Sequence, residues 1–164
     1  MRKLVAVGLM LGLAWATTAL AGEDRPRPPQ KTGTFVSAEL AGEVVKWQLD
    51  LGEDAGKKTY EMSADVKVTY AEKEGVKQGI WVRPAAGRDR PAREGTVVVK
   101  GKFASAKLQG ENVLITITPA EGEKALEVTF PKKLAVMYRE EEGKVTVFGI
   151  GVPRPPATPK PETK

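Results

Sequence analysis

The sequence predicts an all-β protein built from an internally duplicated unit of about five strands. Residues 35–43 align without a gap with residues 103–111, and residues 70–75 align with residues 138–143, at the same offset. Self-similarity at a fixed period indicates a repeat architecture. Apolar residues recur at every second position, which is typical of half-buried strands, and no window of useful length shows helical periodicity.

The first copy, residues 33–84, contains five predicted strands separated by glycine-containing turns. In the clearest strand, Val45, Trp47 and Leu49 alternate with the polar residues Lys46 and Gln48. Glycine at the turns supplies the positive φ that tight hairpins require. The predicted strands of this copy are 33–40, 43–51, 58–62, 66–70 and 79–83.

The second copy, residues 96–152, keeps the apolar pattern at matching positions while the residues themselves change. For example, Ile80 and Val82 correspond to Phe148 and Ile150. This is the behaviour expected where packing of an inward face is the constraint, so all four side chains are predicted to point inward. The predicted strands of this copy are 96–108, 111–118, 124–130, 134–138 and 145–151.

The two copies are expected to pack together across residues 32–152. A single unit of about fifty residues buries too little apolar surface to fold without disulfides or a metal. We therefore predict one pseudo-twofold barrel or two-sheet sandwich, with two separate small barrels as the alternative. The long strand 96–108 is the expected bridge, with a bend at Gly101 that lets it pair on both sides.

Residues 1–21 are predicted to be a cleaved signal peptide. Arg2 and Lys3 precede an uncharged apolar stretch that ends in Ala19-Leu20-Ala21, a small-x-small cleavage pattern. An uncleaved membrane anchor is the alternative, because the apolar stretch is just long enough to span a bilayer. We expect an exported protein, periplasmic or extracellular, without an integral membrane segment after cleavage.

Residues 22–31 and 153–164 are predicted to be disordered, proline-rich arms. Both contain the sequence Pro-Arg-Pro-Pro, at 26–29 and 153–156. Such a segment can act as a spacer, or it can bind an aromatic groove on another protein.

Composition excludes several classes of chemistry. The 164 residues include no cysteine and no histidine, which removes disulfides, thiol nucleophiles and imidazole acid–base or metal-binding groups. The formal charge of +5 falls by two with the predicted signal peptide, which is too small to favour a nucleic-acid partner. We expect no catalytic site, cofactor or metal. A hydrolase that uses carboxylates is a weaker alternative.

Acidic residues recur at corresponding hairpins, as Glu72 and Glu74 in the first copy and as residues 140–142 in the second. Clustered carboxylates can bind calcium, but the spacing of Asp, Asn and Gly found in calcium loops is missing. We therefore expect these side chains to face water.

The segment 83–95 joins the copies and contains several arginines together with two prolines and two glycines, so an exposed loop is expected. Arginine forks suit phosphate and carboxylate groups, although a solvated linker is the simpler interpretation. Trp81 is out of phase with the inward residues beside it. It is expected either to be exposed for ligand contact or to cover the sheet beneath the loop. The candidate contact residues are Trp81, Arg83, Arg88, Arg90 and Arg93.

These patterns predict an exported, non-enzymatic β-domain that binds or scaffolds. Its expected partner is an anionic envelope polymer or another envelope protein. The alternative is a structural subunit that assembles through a strand edge, for which the long strand beginning at Thr96 is the candidate. The sequence predicts no particular oligomeric state.

Overall fold

The computed structural model describes residues 28–89, 91–122 and 124–155. Within these ranges the chain forms ten strands, which confirms the all-β prediction, and no helix there is long and apolar enough to span a membrane. The predicted signal peptide lies outside the described residues, as do most of the N-terminal arm and residues 156–164. The strands are β1 (Gln30–Ala41), β2 (Val44–Asp50), β3 (Lys57–Ser63), β4 (Asp65–Lys73), β5 (Val76–Pro84), β6 (Val97–Gln109), β7 (Asn112–Pro119), β8 (Leu126–Pro131), β9 (Lys133–Glu141) and β10 (Lys144–Gly151).

All ten strands belong to one sheet in the order β3-β2-β1-β9-β10-β5-β4-β6-β7-β8, and neighbours in this order are antiparallel. The sheet curves so that β8 also pairs with β5, at Thr129 and Gln78, which closes part of a ring. Strands β5 and β10 lie at its centre and pair through Val82 and Ile150. The two halves of the chain therefore interleave: β6–β8 continue the sheet beyond β4, and β1–β3 continue it beyond β9.

Corresponding residues of the two halves pair in the same register. Gly33 of β1 faces Leu134 of β9, and Gly101 of β6 faces Val66 of β4, so each partner differs by the offset found in the sequence. The non-glycine residues Glu74 and Glu142 also differ by this offset, and both have positive φ, 52° and 51°. The backbones of the two halves therefore follow the same path at these positions.

Strand β6 connects the two halves because it changes partner along its length. Its first part pairs with β4 and its second part pairs with β7, and the change falls at Gly101. A Cβ atom there would collide with the carbonyl oxygen of Thr118, so the close approach of backbone requires glycine. Strand β6 therefore pairs with β4 before Gly101 and with β7 after it, within one sheet. The strand lies between β4 and β7 in a sheet whose order ends at β3 and β8, and residues 101–102 pair on both sides.

Both halves contribute to the same cluster of buried apolar residues. Trp47 of β2 is fully buried and receives edge contacts from Phe35 of β1 and Phe103 of β6, with ring centroids 6.4 and 5.4 Å away. Edge-to-face contacts of this kind stabilise aromatic packing beyond the area they bury. The core therefore joins strands that are distant in the chain.

The predicted inward orientation of Phe148 is wrong, since its side chain is 37% exposed. A β-bulge places Phe148 as an extra residue between Val147 and Gly149, which pair with successive residues of β9. An extra residue shifts the alternation of a strand, so Val147 becomes the buried side chain instead. The matching bulge in β5 adds Ile80.

Candidate functional site

A groove of about 520 Å³ lies on the outer face of β4, β5 and β6, beneath the loop that follows β5. Four of the five candidate contact residues line it, and the fifth, Arg90, lies outside the described residues. The structure therefore brings together side chains that the sequence places on a strand and on a loop. These four residues are Trp81, Arg83, Arg88 and Arg93.

Strand pairing arranges the floor of the groove in two rows. Thr69 pairs with Trp81 on one side and with Val98 on the other, and all three side chains line the groove. Lys67, two residues earlier on β4, pairs with Arg83. Side chains two residues apart share a face of a sheet, so an apolar row lies beside a cationic row.

Trp81 is buried, with 3% of its surface exposed, although it lies outside the main hydrophobic core. Its indole packs against β10 where Gly149 and Gly151 lack side chains. A Cβ atom on Gly151 would lie only 2.8 Å from Cε3 of the indole. Of the two alternatives predicted for Trp81, exposure is therefore wrong, and the other agrees with the structure: the ring covers the sheet beneath charged side chains.

Two arginines lie over the Trp81 ring. The guanidinium carbon of Arg83 is 5.6 Å from the ring centroid and that of Arg154 is 5.4 Å away, both within the range of cation–π attraction. The backbone N–H of Val152 donates to the carbonyl oxygen of Ile80 at 2.9 Å, which holds the start of the C-terminal segment against β5.

Arg154 was not among the predicted contact residues, because the tail from 153 was expected to be disordered. Instead, Pro153, Arg154 and Pro155 line the groove. The sequence contains a relevant signal, since a Pro-Arg-Pro-Pro segment can bind an aromatic groove on another protein. Here Arg154, from the C-terminal segment, lies over a tryptophan of its own chain.

Lys67 anchors the loop that carries the arginines. It is only 6% exposed, and its Nζ donates to the carbonyl oxygens of Gly87 and Arg88 and to Oδ1 of Asp89, the latter two at 3.2 and 3.0 Å. A buried lysine requires such partners. The other carboxylate oxygen of Asp89 accepts a hydrogen bond from Lys100 at 3.0 Å. Lys67 was missed because its position in an alternating strand predicts a solvated side chain.

Asp89, which carries the only carboxylate among the described groove-lining residues, is therefore already paired with two lysines. Hydrogen bonds and charge attraction from Lys100 and Lys67 hold the pKa of Asp89 below its ordinary value. Asp89 is ionised at neutral pH, and two lysines share its charge. The arginines that line the same groove give it an excess of positive charge.

Residues 28–89, 91–122 and 124–155 contain no group of three or more acidic residues placed to hold a metal ion. The arginines that line the groove have planar forks that can donate two parallel hydrogen bonds to a phosphate, sulfate or carboxylate. Neither a protein-family model nor a curated protein nor a solved structure matches this chain.

Proposed function

We propose that this chain is an exported, non-enzymatic binding domain that holds an anionic group in the arginine-lined groove. The observation that carries the proposal is the charge of the groove lining. Four arginines and one lysine line the groove, and the only carboxylate among its described lining residues, Asp89, is already paired with Lys67 and Lys100. An envelope polymer bearing phosphate, sulfate or carboxylate groups is the proposed ligand.

The groove would bind by presenting cations that are already held in place. Stacking on Trp81 restrains Arg83 and Arg154, and the hydrogen bonds of Lys67 restrain the segment that carries Arg88. Long side chains normally lose conformational entropy when they bind, and restraint before binding reduces that loss. Trp81 therefore acts in this proposal as a support for the arginines, without direct contact with the ligand.

Export and the absence of catalysis are part of the same proposal. Export is supported by the signal-peptide pattern of residues 1–21. A non-enzymatic role is supported by a sequence that lacks histidine and cysteine throughout, the residues most often used for proton transfer and nucleophilic attack at neutral pH.

We also propose that the domain arose by duplication of a five-stranded unit and forms one pseudo-twofold barrel or sandwich. The equal registers around Gly33 and Gly101 support this architecture, as does the cluster of apolar residues drawn from both halves. The approximate twofold axis would pass near the pairing of Val82 with Ile150, since these residues occupy corresponding positions.

Charge reversal tests the proposed anion site. The double variant Arg88→Glu/Arg93→Glu is compared with Lys57→Glu/Lys58→Glu, which makes the same charge change at exposed residues of β3 that do not line the groove. Binding to dextran sulfate is measured by calorimetry at two salt concentrations. We expect the groove variant to lose at least about tenfold in affinity, or about 1.4 kcal/mol, and the control to lose much less. Equal losses in the two variants would show that only net charge matters and would contradict the proposal.

A further inference from the structure

The groove combines its cations with a largely apolar floor and walls. Val98, which is 39% exposed, lies in the same row as Trp81, one strand beyond Thr69. A hydrated polyanion makes few contacts with apolar surface. Sites for small molecules, in contrast, are mostly apolar and have a few polar groups that orient the ligand. The apolar lining includes Ile80, Pro91, Ala92, Val98, Pro153 and Pro155.

We propose that the groove takes a single amphiphilic anion: a phosphate, sulfate or carboxylate head joined to an apolar body. This inference rests on the proposed function, because it uses the same anion site, and it names a small ligand for that site in place of a polymer. The proposed ligand is a monomeric amphiphile and not the surface of a bilayer.

The two rows of the floor match the two parts of such a ligand. Lys67 and Arg83 form the cationic row, and Thr69, Trp81 and Val98 form the row beside it. Residues two apart on a strand are separated by about 7 Å. Trp81 is covered by arginines and the Lys67 amino group is held by the loop, so a head group bound by the arginines would place the first carbons of its attached chain over Val98, the exposed residue of the second row.

The edges of the groove add to this match. Arg93 belongs to the loop, and Arg154, from the C-terminal segment, lies over the Trp81 end of the strip, so cations adjoin the apolar surface. The volume of about 520 Å³ falls within the range of clefts that bind small organic ligands. An anionic amphiphile would complement both the charge and the apolar surface.

Three probes separate the parts of the proposal: monomeric decyl phosphate, inorganic phosphate and dextran sulfate. Each is titrated into the full chain by calorimetry. We expect decyl phosphate to bind at least tenfold more tightly than inorganic phosphate, and Arg93→Glu to weaken binding of all three probes.

Val98→Thr keeps the shape of the side chain and replaces one methyl group by a hydroxyl. We expect it to weaken decyl phosphate binding several-fold and to leave dextran sulfate binding unchanged. Val145→Thr, at another exposed valine outside the groove, is the matched control and should change neither.

Equal binding of decyl phosphate and inorganic phosphate, with dextran sulfate still bound, would overturn the amphiphile inference and leave the anion site standing. Decyl phosphate binding that is insensitive to Val98→Thr would overturn it as well. Binding to phosphatidate vesicles without binding to monomeric decyl phosphate would assign the surface to membranes and also overturn it. Failure of every probe to bind would contradict the proposed function itself.

Discussion

Two buried tryptophans, Trp47 and Trp81, occupy opposite kinds of environment. Trp47 is enclosed by the aromatic rings of the core, whereas Trp81 lies on the outer face of the sheet beneath two arginines. Both are almost inaccessible to solvent. Burial alone therefore does not distinguish a core residue from one that supports a binding site. The two are distinguished by the side chains that cover the ring.

The largest expected effect is the loss of Trp47. Replacing a buried tryptophan by alanine leaves a cavity, and Trp47→Ala should lower the free energy of unfolding by about 3–5 kcal/mol. Trp81→Ala should lower it by less, because the loop and tail can settle into the vacated space. Urea unfolding of both variants measures the difference. An equal or larger loss for Trp81→Ala would mean that Trp81 belongs energetically to the core.

Gly151→Ala tests the close packing of Trp81 on β10. The added methyl group would collide with the carbonyl oxygen of Ile80 and with the indole, and overpacking of this kind costs about 1–3 kcal/mol. Gly87→Ala is the matched control, since its added methyl group meets no heavy atom closer than 3.4 Å. Urea unfolding that finds equal stabilities for the two variants would show that β10 does not approach β5 and the indole as closely as described.

Lys67 and Lys100 allow a finer comparison, because both donate to Asp89 but only Lys67 is buried. Lys67→Met removes hydrogen bonds to the loop and should cost about 1–2 kcal/mol in unfolding free energy. Lys100→Met should cost less, because exposed ion pairs contribute little. Thermal unfolding of both variants checks the order, and a larger loss for Lys100→Met would contradict the anchoring role of Lys67.

The smallest expected effect is the pH dependence that Asp89 contributes. Its pKa is lowered in the folded state, so its stabilising contribution is present above the ordinary aspartate value and is lost as pH falls through the folded pKa. The stability difference between the wild type and Asp89→Asn should therefore shrink as pH falls from about 6 to about 3. The effect is small because the carboxylate is exposed. A difference that grows on acidification would have the wrong sign.

Local patterns in the sequence predict much of this fold. Period-two alternation locates Trp47 in a buried strand, and Gly101 marks the change of partner in β6. Alternation fails at Phe148, because the bulge depends on how β10 pairs with β9. The positions of strands can thus be predicted where the local alternation of apolar and polar residues determines them.

The candidate site was predictable only in part, because its geometry depends on contacts between distant residues. The arginines of the loop and Trp81 stand out in the sequence as candidates. The burial of Trp81, however, requires glycines on β10 and a cation from the C-terminal segment. Likewise, Lys67 looks solvated until the loop residues 87–89 fold back over it. Only the contact of Arg154 has a local sign, the Pro-Arg-Pro-Pro sequence that begins at Pro153.

The most direct test of the binding account is the fluorescence of Trp81 during titration with dextran sulfate. Subtracting the spectrum of Trp81→Phe from that of the wild type isolates the Trp81 contribution. An anion that engages the arginines above the indole should change the emission and the acrylamide quenching of Trp81, with saturation that follows the calorimetric binding curve. If dextran sulfate binds while the Trp81 contribution stays constant, the anion does not engage these arginines and the proposed site is wrong.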